Sequence, residues 1–228
     1  MQMTDRGLLA LVRHEGIVPG PYLDVAGVWT FGIGHTAASR PPDPARMARG
    51  MPADIDAGIR EAFRVFRTHL ATYEAAVRRE VKVSLAPHEF DALVSFHYNT
   101  GGIARAALTK ALNAGNRAAA ADGFMGWLKP AAIRSRREAE RDLFRHARYP
   151  TGTIPVWAVD RNGRVDFSRP VRRLTEPEAL ALLRPAVPPL PPAPLPNGAA
   201  PPAAAAPPPA TLVQRLLAFL KSLIGVPT

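Results

Sequence analysis

Composition changes abruptly at Pro185, and that change restricts the chain more than any other feature: twelve of the 26 residues from Pro185 to Ala210 are proline, and most of the others are alanine. Proline has no backbone donor and alanine little apolar surface, so this segment cannot build a core and is expected to be an extended, semi-rigid spacer. Compact structure is left to the residues before it, enough for one domain of ordinary size. We divide the chain into a main domain at 1–150, a small extension packed on it at 151–184, the spacer at 185–210 and an amphipathic helix at 211–228.

Apolar spacing in the main domain predicts helices over about Asp5–His14, Pro52–Glu80, Ala86–Tyr98 and Ala131–Ala147, with shorter ones between. Pro21–His35 reads differently. Val28, Thr30, Phe31 and Ile33 favour extended backbone, and Gly27, Gly32 and Gly34 interrupt it, so a small antiparallel hairpin or meander is expected. In the extension, Ile154–Val159 and Val165–Phe167 flank Asp160-Arg-Asn-Gly163 like the arms of a hairpin. Thr175 with Glu178 three residues on has the spacing of a capping box and predicts a helix over Thr175–Leu183. The fold class is α+β, mostly helical.

Lys and Arg number 29 against 19 Asp and Glu, a net charge of +10 that favours adsorption to a polyanion, whether nucleic acid, anionic lipid or bacterial envelope. Specific nucleic-acid binding is not expected, because the basic run Arg134–Arg148 is interspersed with Glu138, Glu140 and Asp142, as on a solvated helix. The chain has no cysteine, which excludes disulfides and cysteine-based metal or thiol chemistry. The apolar run Leu8–Val12 is too short for a signal peptide and no stretch is long enough to span a bilayer, so accumulation in the cytoplasm of the producing cell is expected.

Glycosidic hydrolysis needs an acid to protonate the leaving oxygen and a carboxylate to activate water or attack carbon. Glu15 ends the first predicted helix, Asp24 follows nine residues later in the first extended segment, and Thr30 lies six further on in the next. A turn between Glu15 and Asp24 can set the two facing one another. By itself this spacing is common among solvated surface groups.

The surrounding residues are more specific. His14-Glu15-Gly16, Tyr22-Leu23-Asp24 and Gly27-Val-Trp-Thr-Phe-Gly-Ile-Gly-His-Thr36 resemble the catalytic region of the phage lysozymes of glycoside hydrolase family twenty-four. The resemblance continues collinearly through Glu89–Phe96, Tyr98-Asn99, Leu112–Gly115, Phe124–Trp127 and Arg136–Arg141. It implies a two-lobe fold with a small antiparallel sheet and a long connecting helix. The implied activity is a muramidase that cuts between N-acetylmuramic acid and N-acetylglucosamine with inversion. Glu15 is then the acid, Asp24 the base and Thr30 its assistant. No metal or cofactor is expected.

Arg136 and Arg137 align with an arginine-rich stretch that approaches the catalytic glutamate in the family, and are expected to orient Glu15. As an acid, Glu15 must hold a proton near neutral pH, which burial favours and a neighbouring cation opposes. His35 is placed either on the sugar or as a tether of the sheet. Tyr98 and Asn99 are expected to line the sugar site, with helix capping as the alternative for Asn99. Trp29 and Trp127 are read as packing residues. Two departures stand out: the proline-rich loop Ala37–Met51 is longer than usual, and Ala132 replaces a glycine before the arginine cluster.

The expected biological role is lysis of the producing bacterium for release of phage or phage-like particles, with a monomer delivered to peptidoglycan by a holin. The stripe of Leu212, Leu216, Leu220 and Leu223 offers membrane or holin contact, or a return to the chain's own domain. The competing reading is a catalytically idle peptidoglycan-binding module of a particle.

Overall fold

Short side chains that accept hydrogen bonds start the first two helices. Thr4 accepts from the Gly7 N–H at the head of α1 (Asp5–Glu15), and Asp54 accepts from the Ala57 N–H at the head of α2 (Ile55–Glu80). Asp54 has the extended backbone of an N-cap, so α2 starts three residues after the expected Pro52. Pro87 opens α3 (Pro87–Thr100), where Glu89 reaches back to the Ala86 N–H at 2.8 Å. The shorter helices α4 (Ala107–Asn113) and α5 (Arg117–Gly123) follow. The expected helix over Ala131–Ala147 resolves into a 3-10 turn, Ala131–Ile133, that runs straight into α6 (Arg134–His146).

The computed structural model describes residues 1–24, 26–37 and 41–183; the spacer and terminal helix expected at 185–228 lie outside the described residues. Between α1 and α2, β1 (Val18–Leu23), β2 (Trp29–Gly32) and β3 (His35–Thr36) form a three-stranded antiparallel meander in sequence order. Tyr22 pairs with Thr30, and Phe31 pairs with both Pro21 and His35. After α6 come β4 (Ile154–Val156), β5 (Ala158–Val159), β6 (Val165–Asp166), β7 (Arg172–Leu174) and α7 (Glu176–Leu183). The expected hairpin is divided: β5 pairs with β6, while β4 pairs with β7. The division falls at Trp157, whose N–H leaves the hairpin to donate to Ile17 O at 2.8 Å.

Helix α2 carries the architecture. At 26 residues it is about 39 Å long, and it buries Ile59, Ala62, Phe63, Phe66, Leu70, Tyr73 and Val77 along one stripe. Its first half meets β1 and β2, and it also packs against α3 and α7. One continuous core joins Leu9, Leu11 and Val12 of α1 with Phe63 and Phe66 of α2, Leu93 and Phe96 of α3, and Leu143 of α6. The result is a mostly helical α+β fold with a small sheet at one end of a long connecting helix.

α1 is fixed on α3 by a buried carboxylate. Asp91 accepts from the Thr4 N–H (2.9 Å), the Thr4 hydroxyl (2.6 Å) and the Tyr149 hydroxyl (2.8 Å). A Cβ on Gly7 would lie 2.2 Å from the Asp91 carboxyl carbon, so the absence of a side chain there lets the helix reach its clamp. Gly7→Ala raises helix propensity yet should destabilise the protein by about 1–3 kcal/mol through overpacking, measured by urea unfolding; a stabilised variant would show that the clamp does not limit the approach.

Candidate active site

Gly16 ends α1. At φ 74°, ψ 174° it turns the chain out of the helix while its N–H still closes on Val12 O at 2.8 Å. Glu15 is therefore the last helical residue, with its side chain turned inward and 1% exposed. Arg136 Nη1 donates to Glu15 Oε1 at 2.7 Å, its Nε to Glu140 Oε1 at 3.0 Å, and its Nη2 to Ser95 O at 3.3 Å. Ser95 donates its hydroxyl to Glu140 Oε1 at 2.7 Å, and Arg137 donates to Glu140 and to Asn99. Two arginines and two glutamates thus face one another in the interior, and one oxygen, Glu15 Oε2, is buried with no hydrogen-bond partner among the described residues.

Asp24 and Thr30 belong to one hairpin. Asp24 Oδ1 accepts from the N–H groups of Ala26 (2.8 Å) and Val28 (2.9 Å), and its own N–H donates to Val28 O at 3.0 Å. This is an Asx turn, in which a short carboxylate takes the place of backbone in closing the reversal. Thr30 donates its hydroxyl to the same Val28 carbonyl at 3.1 Å. Both residues are buried, so their orientation is set by the turn.

The three residues expected at the sugar are each buried and tied to the protein. Tyr98 is enclosed and its hydroxyl donates to Ile33 O at 2.8 Å, tethering the β2–β3 turn to α3. Burial, and then the charge of Glu15, push its pKa well above the ordinary value and keep it a donor. Asn99 is buried and accepts from Arg137. His35 is buried and its Nε2 lies 2.8 Å from Pro42 O, on the tether side of the two readings. Trp127 packs edge-on against Phe96 at 5.3 Å.

Two supporting residues were missed by sequence reasoning, Ser95 and Glu140. Glu140 carried a signal, standing four residues after Arg136 and three after Arg137, but alternating charge along α6 read as a solvated face. Arg136, Arg137 and Glu140 are instead 4%, 1% and 2% exposed. The replacement of glycine by Ala132 leaves the approach intact, since the 3-10 turn delivers Arg136 to Glu15. Among the described residues no group of His, Cys, Asp and Glu has the arrangement of a metal site.

The phage lysozyme sequence profile matches residues 12–140, spanning Glu15, Asp24, Thr30, Arg136 and Glu140. The chain belongs to the phage lysozyme family. It is 34% identical over 150 residues to the endolysin of Salmonella phage P22, covering 63% of this chain and 98% of that protein. Identity to the SAR-endolysin of Escherichia phage Mu is 35% over 142 residues, 59% of this chain and 76% of that one. Among solved structures, an endolysin from Escherichia coli O157:H7 phage FAHEc1 superposes with a TM-score of 0.56 at 29% identity, over 66% of this chain and 98% of that one.

In this lysozyme-family site Glu140 is paired with both buried arginines, so its loss leaves buried positive charge uncompensated. Glu140→Gln should destabilise by about 3–5 kcal/mol, read as a lower urea midpoint; a change below 1 kcal/mol would mean the pair is dispensable.

Two histidines, His14 beside this network and His97 on α3, have lowered pKa values in the fold. Burial, then Arg136, Arg137 and Arg13, bring His14 down to about 3. Burial and then Arg79 bring His97 down to about 4. Unfolded histidine takes up a proton near pH 6.5, so below that pH the unfolded state binds protons that the folded state refuses. Stability should be independent of these groups above about pH 7 and fall as pH drops from 6.5 toward 4. Urea midpoints across that range test this, and His97→Gln should flatten the slope.

Proposed function

We propose that this chain is an endolysin, a muramidase that hydrolyses the β-1,4 bond between N-acetylmuramic acid and N-acetylglucosamine in peptidoglycan, with Glu15 as acid, Asp24 as base and Thr30 beside the water. The observation that carries the reading is the division of labour within the Glu15 carboxyl. Oε1 is held by Arg136, and Oε2 is buried with no hydrogen-bond partner among the described residues. The proton travels on Oε2 to the leaving oxygen, and the carboxylate so formed is stabilised by the guanidinium already in place. Arg136 is shared with Glu140, to which its Nε donates.

Asp24, oriented by its turn, takes the proton of the attacking water, and Thr30 orients that water. This is the inverting chemistry of glycoside hydrolase family twenty-four, which calls for a carboxyl separation of roughly 6.5–9.5 Å so that water fits between. Host-cell lysis is the biological outcome. The net charge of +10 favours adsorption to the anionic wall. No helix among the described residues is long and apolar enough to cross a membrane, which is compatible with holin-dependent release of a monomer from the cytoplasm.

Purified peptidoglycan digested by the wild type should yield fragments ending in reducing N-acetylmuramic acid, with the inverted anomer predominant when products are observed before mutarotation. Glu15→Gln and Asp24→Asn should each lower the rate by at least about a thousandfold while keeping the circular dichroism of the wild type, since Asn retains the oxygen that closes the turn. An inert wild type that still binds the wall would replace this reading with that of an idle binding module.

A further inference from the structure

Acid and base are joined by one strand, and its outer edge is closed by a part of the chain beyond the family match, which ends at residue 140. At the end next to Glu15, the Ile17 N–H donates to Pro155 O at 3.0 Å and the Trp157 N–H donates to Ile17 O at 2.8 Å. At the end next to Asp24, the Leu23 N–H donates to Gly163 O at 2.8 Å. Between them, Val18 and Tyr22 pack with Val159 in a small cluster separate from the main core. A Cβ on Gly20 would meet Gly50 O at 2.2 Å and Val159 Cγ1 at 3.0 Å, so the strand is gripped at its middle as well.

The grip continues onto the strand that carries Thr30. Trp29 lies under the Arg49 guanidinium, 3.5 Å from its ring centre, and a Cβ on Gly163 would stand 2.7 Å from the same ring. Arg49 is anchored by donating to Pro44 O (3.2 Å) and Ala45 O (2.6 Å). The proline-rich loop, through Arg49, and the extension, through Gly163, therefore meet over the hairpin of Asp24 and Thr30.

Resting on the muramidase reading above, we propose that residues 154–163 are a positioning brace for catalysis, setting the distance between Glu15 and Asp24 by fixing both ends of the strand that links them, with Gly163 as the contact at the base. A strand held at one end only lets the far carboxylate swing. Near-attack geometry tolerates little of that, and a displacement of about 1 Å costs on the order of a hundredfold in rate. The brace acts on the reacting geometry and not on the retention of substrate, so its loss appears in kcat and not in KM.

Two glycines of the full-length chain separate this from simple stabilisation. Gly163 and Gly152 both have positive φ, 81° and 104°, so alanine strains the backbone at either position. A Cβ at Gly152 meets nothing within 4 Å, whereas at Gly163 it meets Trp29 and, at 3.1 Å, the Leu23 nitrogen. Gly163→Ala should lower kcat on solubilised peptidoglycan about tenfold to a hundredfold with KM within about twofold, and Gly152→Ala should leave kcat within about twofold although its thermal midpoint falls comparably. Equal kcat for the two variants at a temperature where both are folded would overturn the brace, as would a Gly163→Ala effect confined to KM. Trp29→Phe should restore most of the kcat that Trp29→Ala loses; no difference between those two would also overturn it. A wild type without hydrolytic activity would refute the muramidase reading, a result distinct from any of these.

Discussion

The Arg136 guanidinium is the point on which the site depends. Buried beside Glu15, Glu140 and the Ser95 carbonyl, it brings the end of α1, the middle of α3 and the start of α6 to one place. Bringing charges out of water costs several kcal/mol per ion, and only close pairing with satisfied donors offsets it. The same pairing fixes the orientation of the Glu15 carboxyl through Oε1. Packing serves this arrangement: the core that joins α1, α3 and α6 keeps water from the pair, and the Asp91 clamp fixes the opposite end of α1 so that its last residue arrives in register.

From Glu15 the chain passes directly into a strand and from that strand directly to Asp24, so one strand links the two proposed catalytic carboxylates. A short linear connection is stiff when it is held on both sides. On the inner side β2 pairs with it, across a register shift between Val18 and Pro21; on the outer side the extension holds its two ends through backbone hydrogen bonds at Ile17 and Leu23. The Asx turn then sets Asp24 and Thr30 on either side of one reversal. Rigidity here comes from backbone groups, which leaves the side chains of the hairpin for chemistry.

Much of this was legible in the sequence. The apolar stripe of α2, Pro87 at the start of α3 and the glycine-rich segment around Thr30 each announce their elements locally, because helix and strand periodicities and turn chemistry act over a few residues. Glu15, Asp24 and Thr30 were singled out by the family resemblance of the residues around them, since their spacing alone is common. The inward turn of Tyr98, Asn99 and His35 was not, since nothing in their neighbourhoods says whether a hydroxyl or amide faces a cleft or the Ile33 carbonyl. Nor was the burial of Glu140, where alternating charge on α6 looks the same whether the helix faces solvent or an opposing carboxylate.

By itself, then, the sequence determined what depends on neighbours along the chain: the helices, the meander, the capped turns, and the family to which the chain belongs. Only the tertiary structure decided which arginine meets Glu15, why Ile154–Val159 splits between two partners, and what closes the outer edge of β1. Those outcomes rest on contacts between residues more than a hundred positions apart, such as Arg136 with Glu15 and Gly163 with Leu23. Their energies depend on burial and geometry that no local pattern encodes.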